Sequence, residues 1–184
     1  MKPSSWRLDA LIASPAAGFE QPFEMMEACH QRVRRTLGLL GRLRAHVARH
    51  GADEQARQAA RDVMRYFDMA APQHHRDEEL HVFPALVAHG DLTLLALVER
   101  LRHDHLRMDE RWHMVRAVLD RLARAESQVI TTADAAQIDA FTRLYDGHVE
   151  AEEQLAYPAA AALLDDGARA AMGAEMRRRR GAAS

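Results

Sequence analysis

The sequence predicts an all-α protein, an up-down-up-down antiparallel four-helix bundle with an N-terminal arm and a short C-terminal helix. Apolar residues recur every three or four positions over four long stretches, and no stretch alternates long enough to indicate a strand. Alanine is abundant and nearly every basic residue is arginine, a composition that favours helix. Only short segments separate the four stretches, and long helices joined by short loops pack together as a bundle.

The ends of the predicted helices carry recognisable signals. Gly51 ends the first helix, the sequence His-Gly-Asp forms the second turn, and Thr132 is predicted to cap the fourth helix. Pro72 and Pro84 are expected to kink or break the second helix, because proline lacks the N–H that an interior helical position needs. The predicted helices are 23–50, 53–88, 92–125 and 133–164. As domains these give an arm at 1–22, the bundle at 23–165, and a C-terminal helix with a solvated basic tail at 166–184.

Composition excludes several classes of protein. With 184 residues the chain is long enough for one domain with a substantial core. A formal net charge of −2 gives no overall field to attract nucleic acid or a membrane surface. Cys29 is the single cysteine, so no internal disulfide forms, and no apolar run approaches the length of a membrane span. The expectation is a cytoplasmic monomer or homodimer.

The sequence contains eleven histidines, which is an unusual number. Histidines fall on the apolar faces of all four helices. The third helix has the most regular register, in steps of three and four, and His105 lies within it. Glutamates join the histidines on the second and fourth faces. The predicted faces are Phe23, Met26, His30, Val33, Leu37 and Leu40; Val63, Phe67, Ala70, His74, Glu78, His81 and Ala85; Leu94, Val98, Leu101, His105, Met108, Trp112, Val115, Leu119 and Leu122; and Ile138, Phe141, Tyr145, His148, Glu152, Leu155 and Ala159.

The polar residues on these faces form an internal repeat. The stretch HHRDEELHVFP at 74–84 and the stretch HVEAEEQLAYP at 148–158 share H-x-x-x-E-E and a proline ten positions after the first histidine. His30 on the first helix has its counterpart in His105 on the third. The chain therefore consists of two similar helical hairpins, each with one lone histidine and one His-x-x-x-Glu pair.

This set of side chains predicts a metal site. Residues four apart lie on one helix face, so His74 and Glu78 can direct a nitrogen and an oxygen to adjacent points, as can His148 and Glu152. Burying such groups without a partner is costly, and two divalent cations would satisfy their lone pairs and charge. Imidazole with carboxylate favours iron, although other divalent metals are possible. The candidate ligands are His30, His74, Glu78, His105, His148 and Glu152.

The other polar residues near these positions receive weaker interpretations. Glu79 and Glu153 lie one step off their faces and are expected on the helix surface or in contact with a ligand from behind. His75 and His103 should point away from the site and at most contact a ligand residue from behind, and whether His81 or Asp109 touches the metal stays open. Surface positions are predicted for His46, His50, His89 and His113.

These motifs resemble the hemerythrin-like family, also called HHE cation-binding domains, over roughly 23–165. The resemblance rests on the two repeated stretches and on ACHQRV and HDHLRM around His30 and His105. It implies a bundle that holds two non-haem iron ions bridged by an oxo or hydroxo group. It assigns the same six ligands and makes Glu78 and Glu152 the bridging carboxylates. Oxygen-carrying members place a histidine where this chain has Asp109, so the pattern is closer to bacterial iron–sulfur repair proteins, whose cysteine-bearing N-terminal domain this sequence lacks.

Several functions follow from such a site. The first is binding or sensing of O2, NO or peroxide, favoured by the single-domain organisation and by the lack of a motif for an organic substrate. The second is iron storage or donation for iron–sulfur cluster repair under oxidative or nitrosative stress. The third is a di-iron oxidase or peroxidase, and the fourth is a structural bundle with a vestigial site. No catalytic residue is assigned, and enzymatic activity stays open.

Overall fold

A computed structural model describes residues 17–181, and within this part all regular structure is helical, as predicted. Two of the long helices contain a π-helical turn, Glu78–Val82 in one and Glu152–Ala156 in the other, and each helix continues through its turn without a break. The α-helical segments are α1 (Pro22–His50), α2 (Glu54–Asp77), α3 (Phe83–His89), α4 (Leu92–Ala123), α5 (Thr132–Ala151), α6 (Tyr157–Leu163) and α7 (Asp166–Arg179).

The long helices surround one interior. Helix α1 packs on α2, α2 on α4, α4 on α5, and α5 also meets α1. Apolar side chains form two clusters, one around Phe67 and Phe141 and the other around Phe83 and Leu101. Along the α2–α3 helix, residues 74–78 lie between the two clusters, so the predicted polar residues occupy the middle of the bundle. Within residues 17–181 no helix combines the length and apolar content that crossing a membrane requires.

The predicted faces are correct up to each π-helical turn and wrong beyond it. On α2–α3 the buried residues after Glu78 are Val82, Phe83 and Leu86, whereas His81 is only partly buried. A π turn contains one more residue than an α turn, so every later side chain is rotated from its α-helical position. For the same reason the predicted face residue Leu155 is 55% exposed. In its place Ala156, Tyr157 and Ala160 are buried.

The prolines do not break the helices. Pro72 lies inside α2, and Pro84 is the second residue after the first π turn. In that turn the Phe83 N–H donates to the Glu78 carbonyl, five residues back. Pro158 occupies the same place after the second π turn. The wider turn lets the chain stay helical through a residue that has no N–H to donate.

The cap of the fourth long helix lies one residue earlier than predicted, at Thr131. Its hydroxyl accepts from the Asp134 N–H at 3.1 Å, and the Asp134 carboxylate accepts from the Thr131 N–H at 3.0 Å. This capping box satisfies two backbone donors that the helix leaves unpaired. Thr132, the predicted cap, is the first residue inside the helix.

We expect Thr131→Ala to lower the free energy of unfolding by about 1 kcal/mol, because an N–H in the first turn loses its acceptor. Thr132→Ala is the matched control and should stay within about 0.5 kcal/mol of the natural chain. Chemical denaturation of both variants measures the difference. Equal losses in the two variants would contradict the assignment of the cap.

The C-terminal helix α7 docks on the bundle through two arginines, so the predicted solvated tail is wrong for Arg179 and Arg180. The Asp77 carboxylate is fully buried and accepts from Arg179 at 2.6 Å and from Arg180 at 3.0 Å. His81 lies 2.8 Å from the Glu175 carboxylate of the same helix. Asp77 directly precedes the first π turn, so α7 is attached to the chain next to the predicted site.

Candidate metal centre

The six predicted ligand residues converge in the bundle interior. Each lies on the face that its helix turns inward, and each is buried, with both glutamates at 0% exposure. The two glutamates are also the first residues of the two π turns. The six are His30 on α1, His74 on α2, Glu78 at the α2–α3 junction, His105 on α4, His148 on α5, and Glu152 at the α5–α6 junction.

Side chains of the six residues form two groups that share both carboxylates. His30 and His74, here called the first histidine pair, lie with Glu78 and Glu152 such that one ligand atom from each residue is within 4.8 Å of the others. His105 and His148, the second histidine pair, form a group of the same kind with the same two glutamates. The arrangement has two positions at which a cation could sit.

Each carboxylate extends between the two histidine pairs. Glu152 Oε2 lies 3.2 Å from His30 Nε2, while its Oε1 lies 2.8 Å from His148 Nε2. Glu78 Oε1 lies 3.3 Å from His74 Nε2, while its Oε2 lies 3.3 Å from His105 Nε2. One oxygen of each carboxylate therefore faces each pair, which is the geometry of a bridging carboxylate.

Most of the inward-facing atoms have no hydrogen-bond partner within the described chain. They approach one another at ion-pair distances, but they are not aligned for hydrogen bonds. Leaving such buried atoms unpaired is costly, and a cation accepting their lone pairs removes the cost, so the donor set fits a metal ion. The unpaired inward atoms are the Nε2 atoms of His74, His105 and His148, Oε2 of Glu78, and both carboxylate oxygens of Glu152.

The second glutamate of each E-E pair orients a histidine from behind. His30 Nδ1 donates to Glu153 at 3.0 Å, and His105 Nδ1 donates to Glu79 at 3.2 Å. Donation by Nδ1 places the free lone pair on Nε2, which faces the centre. Both glutamates are held in turn by arginines, Glu153 by Arg34 and Glu79 by Arg102. Two roles were predicted for Glu79 and Glu153, a place on the helix surface or contact with a ligand residue from behind. The structure shows the second, because each hydrogen-bonds the ring nitrogen of a ligand histidine that faces away from the centre.

Electrostatics of the centre favour positive charge. Burial alone would lower the pKa of His105, but the carboxylates of Glu152, Glu78 and Glu79 that face its ring raise that pKa to about 11. Burial alone would raise the pKa of Glu152, but the neighbouring His148, His105 and His30 hold that pKa well below its usual range. The buried carboxylate charge therefore favours a positive charge at this point, and a divalent cation that displaced the His105 proton would meet a free lone pair on Nε2.

Three histidines and an aspartate near the motifs have distinct positions. His75 was expected at most to contact a ligand residue from behind, and its ring stacks on that of His105 with centroids 4.0 Å apart. One ring nitrogen of His75 also lies within 4.8 Å of ligand atoms of His105 and His148. His81 instead pairs with α7, and Asp109 is 74% exposed, so neither joins the two groups. His103 is exposed, as predicted.

Tyr157 is a polar neighbour that the sequence reasoning missed. Its hydroxyl donates to Glu78 Oε1 and lies 3.2 Å from His30 Nε2, and its ring stacks on His30. The tyrosine that the sequence placed on a face, Tyr145, packs among the aromatic rings of the core. The only signal for Tyr157 is its place before Pro158, where the repeat has Phe83 before Pro84.

A cavity of about 670 Å³ between α2 and α4 reaches His105 of the second histidine pair. His75 and His105 lie at its inner end, and Leu106, 66% exposed, lies at the surface. The remaining lining is mostly apolar, and a few charged side chains complete it. These residues are Phe67, Ala71, Pro72, Gln73, Arg76, Glu79, Arg102, Met108, Asp109, Trp112 and Tyr145.

A helical bundle with buried histidines and paired carboxylates on facing helices defines a class, the helical-bundle metal-binding proteins. Within that class, residues 21–160 match the sequence profile of the hemerythrin HHE cation-binding domain. The chain belongs to this family, as its motifs indicated. It is also similar to an uncharacterized protein of Haemophilus influenzae, with 33% identity over 139 residues, which is 76% of this chain and 78% of that protein.

Proposed function

We propose that the protein is a non-haem di-iron protein that binds or senses O2, NO or peroxide. The observation that carries this proposal is the position of the two carboxylates, each of which presents one oxygen to each histidine pair. Membership of a cation-binding family supports it. The proposed ligands are His30, His74, Glu78, His105, His148 and Glu152, with Glu78 and Glu152 shared between two ions.

The arrangement of the bundle supports the same proposal. Loops of a few residues connect α1 to α2 and α3 to α4, and each connected pair of helices packs side by side. We therefore propose that the four long helices alternate in direction. That order puts the middle of every helix at one level, which explains how a mid-length histidine from each helix reaches the same centre.

When bound, iron with unfilled coordination positions would supply reversible binding of a diatomic molecule or peroxide. The chain's own residues do the rest. Glu153 and Glu79 hold His30 and His105 with Nε2 directed inward. The apolar clusters on both sides keep bulk water from the donors. The cavity between α2 and α4 gives an external ligand a path to the second histidine pair.

Measurement of bound iron tests the proposal. The natural chain, loaded with Fe²⁺ without oxygen, should hold about two ions. His74→Ala should remove mainly the ion at the first pair and His148→Ala the ion at the second, so each variant should retain about one. His113→Ala is the matched control, because His113 is 72% exposed and lies outside both groups.

Exposure of the loaded protein to NO, O2 or peroxide then tests ligand binding. A reversible change in its visible absorption is the expected result. A natural chain that holds no iron, or a loaded centre inert to all three ligands, would contradict the proposal. Transfer of the iron to an apo iron–sulfur protein, without a stable adduct, would favour iron donation in its place.

A further inference from the structure

Tyr157 places a phenol oxygen among the donors of the first histidine pair. Its hydroxyl donates to Glu78 Oε1 and lies 3.2 Å from His30 Nε2. The ring stacks on the His30 imidazole with centroids 5.4 Å apart and planes 9° apart, and only 2% of the residue is exposed. Two of the proposed ligands thus hold the hydroxyl oxygen in place, and the oxygen is shielded from solvent.

The second histidine pair has no such oxygen at the corresponding place. Phe83 precedes Pro84 as Tyr157 precedes Pro158, and its ring stacks on His105 with centroids 5.6 Å apart and planes 26° apart. The repeat therefore places an aromatic ring against one histidine of each pair. Only the ring at the first pair carries a hydroxyl group, so the two cation positions differ chemically.

Distances around the first pair fit coordination of one ion. Neighbouring donors that each lie about 2.1 Å from an ion, at right angles to one another, are about 3 Å apart. His30 Nε2 is 3.2 Å from Glu152 Oε2 and 3.2 Å from Tyr157 Oη. His74 Nε2 is 3.3 Å from Glu78 Oε1. An ion placed among these atoms would replace the proton that Tyr157 donates to Glu78 Oε1 and would then contact the tyrosine oxygen.

We propose that Tyr157 is a further ligand, whose oxygen binds the ion held by His30 and His74. The inference rests on the proposed function. As the oxygen–metal bond forms the O–H bond breaks, and the proton passes to solvent while the cation takes its place against Glu78. The first position is then filled from within the chain. An external ligand binds at the second position, where the cavity ends at His105 and His75.

Visible absorption of the iron(III)-loaded full chain tests this proposal, because phenolate bound to iron(III) gives a charge-transfer band. We expect that band in the natural chain and its complete loss in Tyr157→Phe, with about two irons retained by elemental analysis. Tyr66→Phe is the matched control and should keep the band, because the Tyr66 hydroxyl donates to the backbone carbonyl of Cys29 and to none of the donors.

Resonance Raman spectra of the natural chain, excited within the band, should show phenolate ring modes, so the result does not depend on the folding of the variant. A natural chain with iron bound and no phenolate band would overturn the role of Tyr157 and leave the proposed function standing. A band that survives in a folded Tyr157→Phe chain would overturn it as well. A chain that binds no iron would overturn both proposals.

Discussion

A Glu152→Ala chain is expected to lose both metal ions, whereas removal of a single histidine costs one. The Glu152 carboxylate has Oε2 at the first histidine pair and Oε1 at the second, so its deletion removes an oxygen donor from each position. The substitution also removes the negative charge that His148, His105 and His30 face. Bound iron after loading should fall from about two ions per chain to near zero.

Glu150→Ala is the control for that experiment, since Glu150 is exposed two residues away on the same helix. It should retain the iron content of the natural chain. Retention of one tightly bound ion by Glu152→Ala would show that the carboxylate serves one position alone. The bridging arrangement would then be wrong, even if the protein binds iron.

Asp77→Ala should produce a large loss of stability although Asp77 is not one of the proposed ligands. Asp77 is fully buried and is the common acceptor for Arg179 and Arg180 of helix α7. Removing one partner of a buried ion pair leaves charge without compensation, so we expect the free energy of unfolding to fall by about 3 kcal/mol. Thermal and chemical denaturation of the metal-free chain measure it.

Asp109→Ala is the comparison for Asp77→Ala, because its side chain is 74% exposed and its ion pair with His113 lies at the surface. That change should alter stability by less than about 0.5 kcal/mol. If the two aspartate variants unfold alike, the docking of α7 contributes nothing to the stability of the bundle.

Sequence periodicity predicted the helices because each buried face repeats without interruption up to the centre. Every predicted residue of α4 from Val98 to Leu122 is buried. The prediction failed after Glu78 and Glu152, where the face moved by one residue. A π turn arises from a shifted backbone hydrogen bond, and a pattern of apolar side chains counted in α-helical steps carries no sign of it.

The six central residues could be predicted because polar side chains on an apolar face are conspicuous, and the repeat marked them twice. Tyr157 was missed because the predicted face, counted in α-helical steps past Glu152, turned Leu155 and Ala159 inward in its place. The contact of His75 could not be fixed from the sequence, because one residue turns a side chain by about 100° around the helix, although its imidazole still reaches the ring of His105. Arg179 and Arg180 were misread because nothing in the sequence pairs a terminal arginine run with Asp77.

The two π turns give the centre a property that its side chains alone do not. The carbonyl of Glu78 accepts from the Phe83 N–H, and the carbonyl of Glu152 accepts from the Tyr157 N–H. If the same residues continued in ordinary α-helical steps from each glutamate, Val82 and Ala156 would take the places that Phe83 and Tyr157 hold, because every later side chain would be turned by about 100° around the helix. One inserted residue per hairpin therefore sets which aromatic ring faces each histidine pair, independently of the histidines and glutamates themselves.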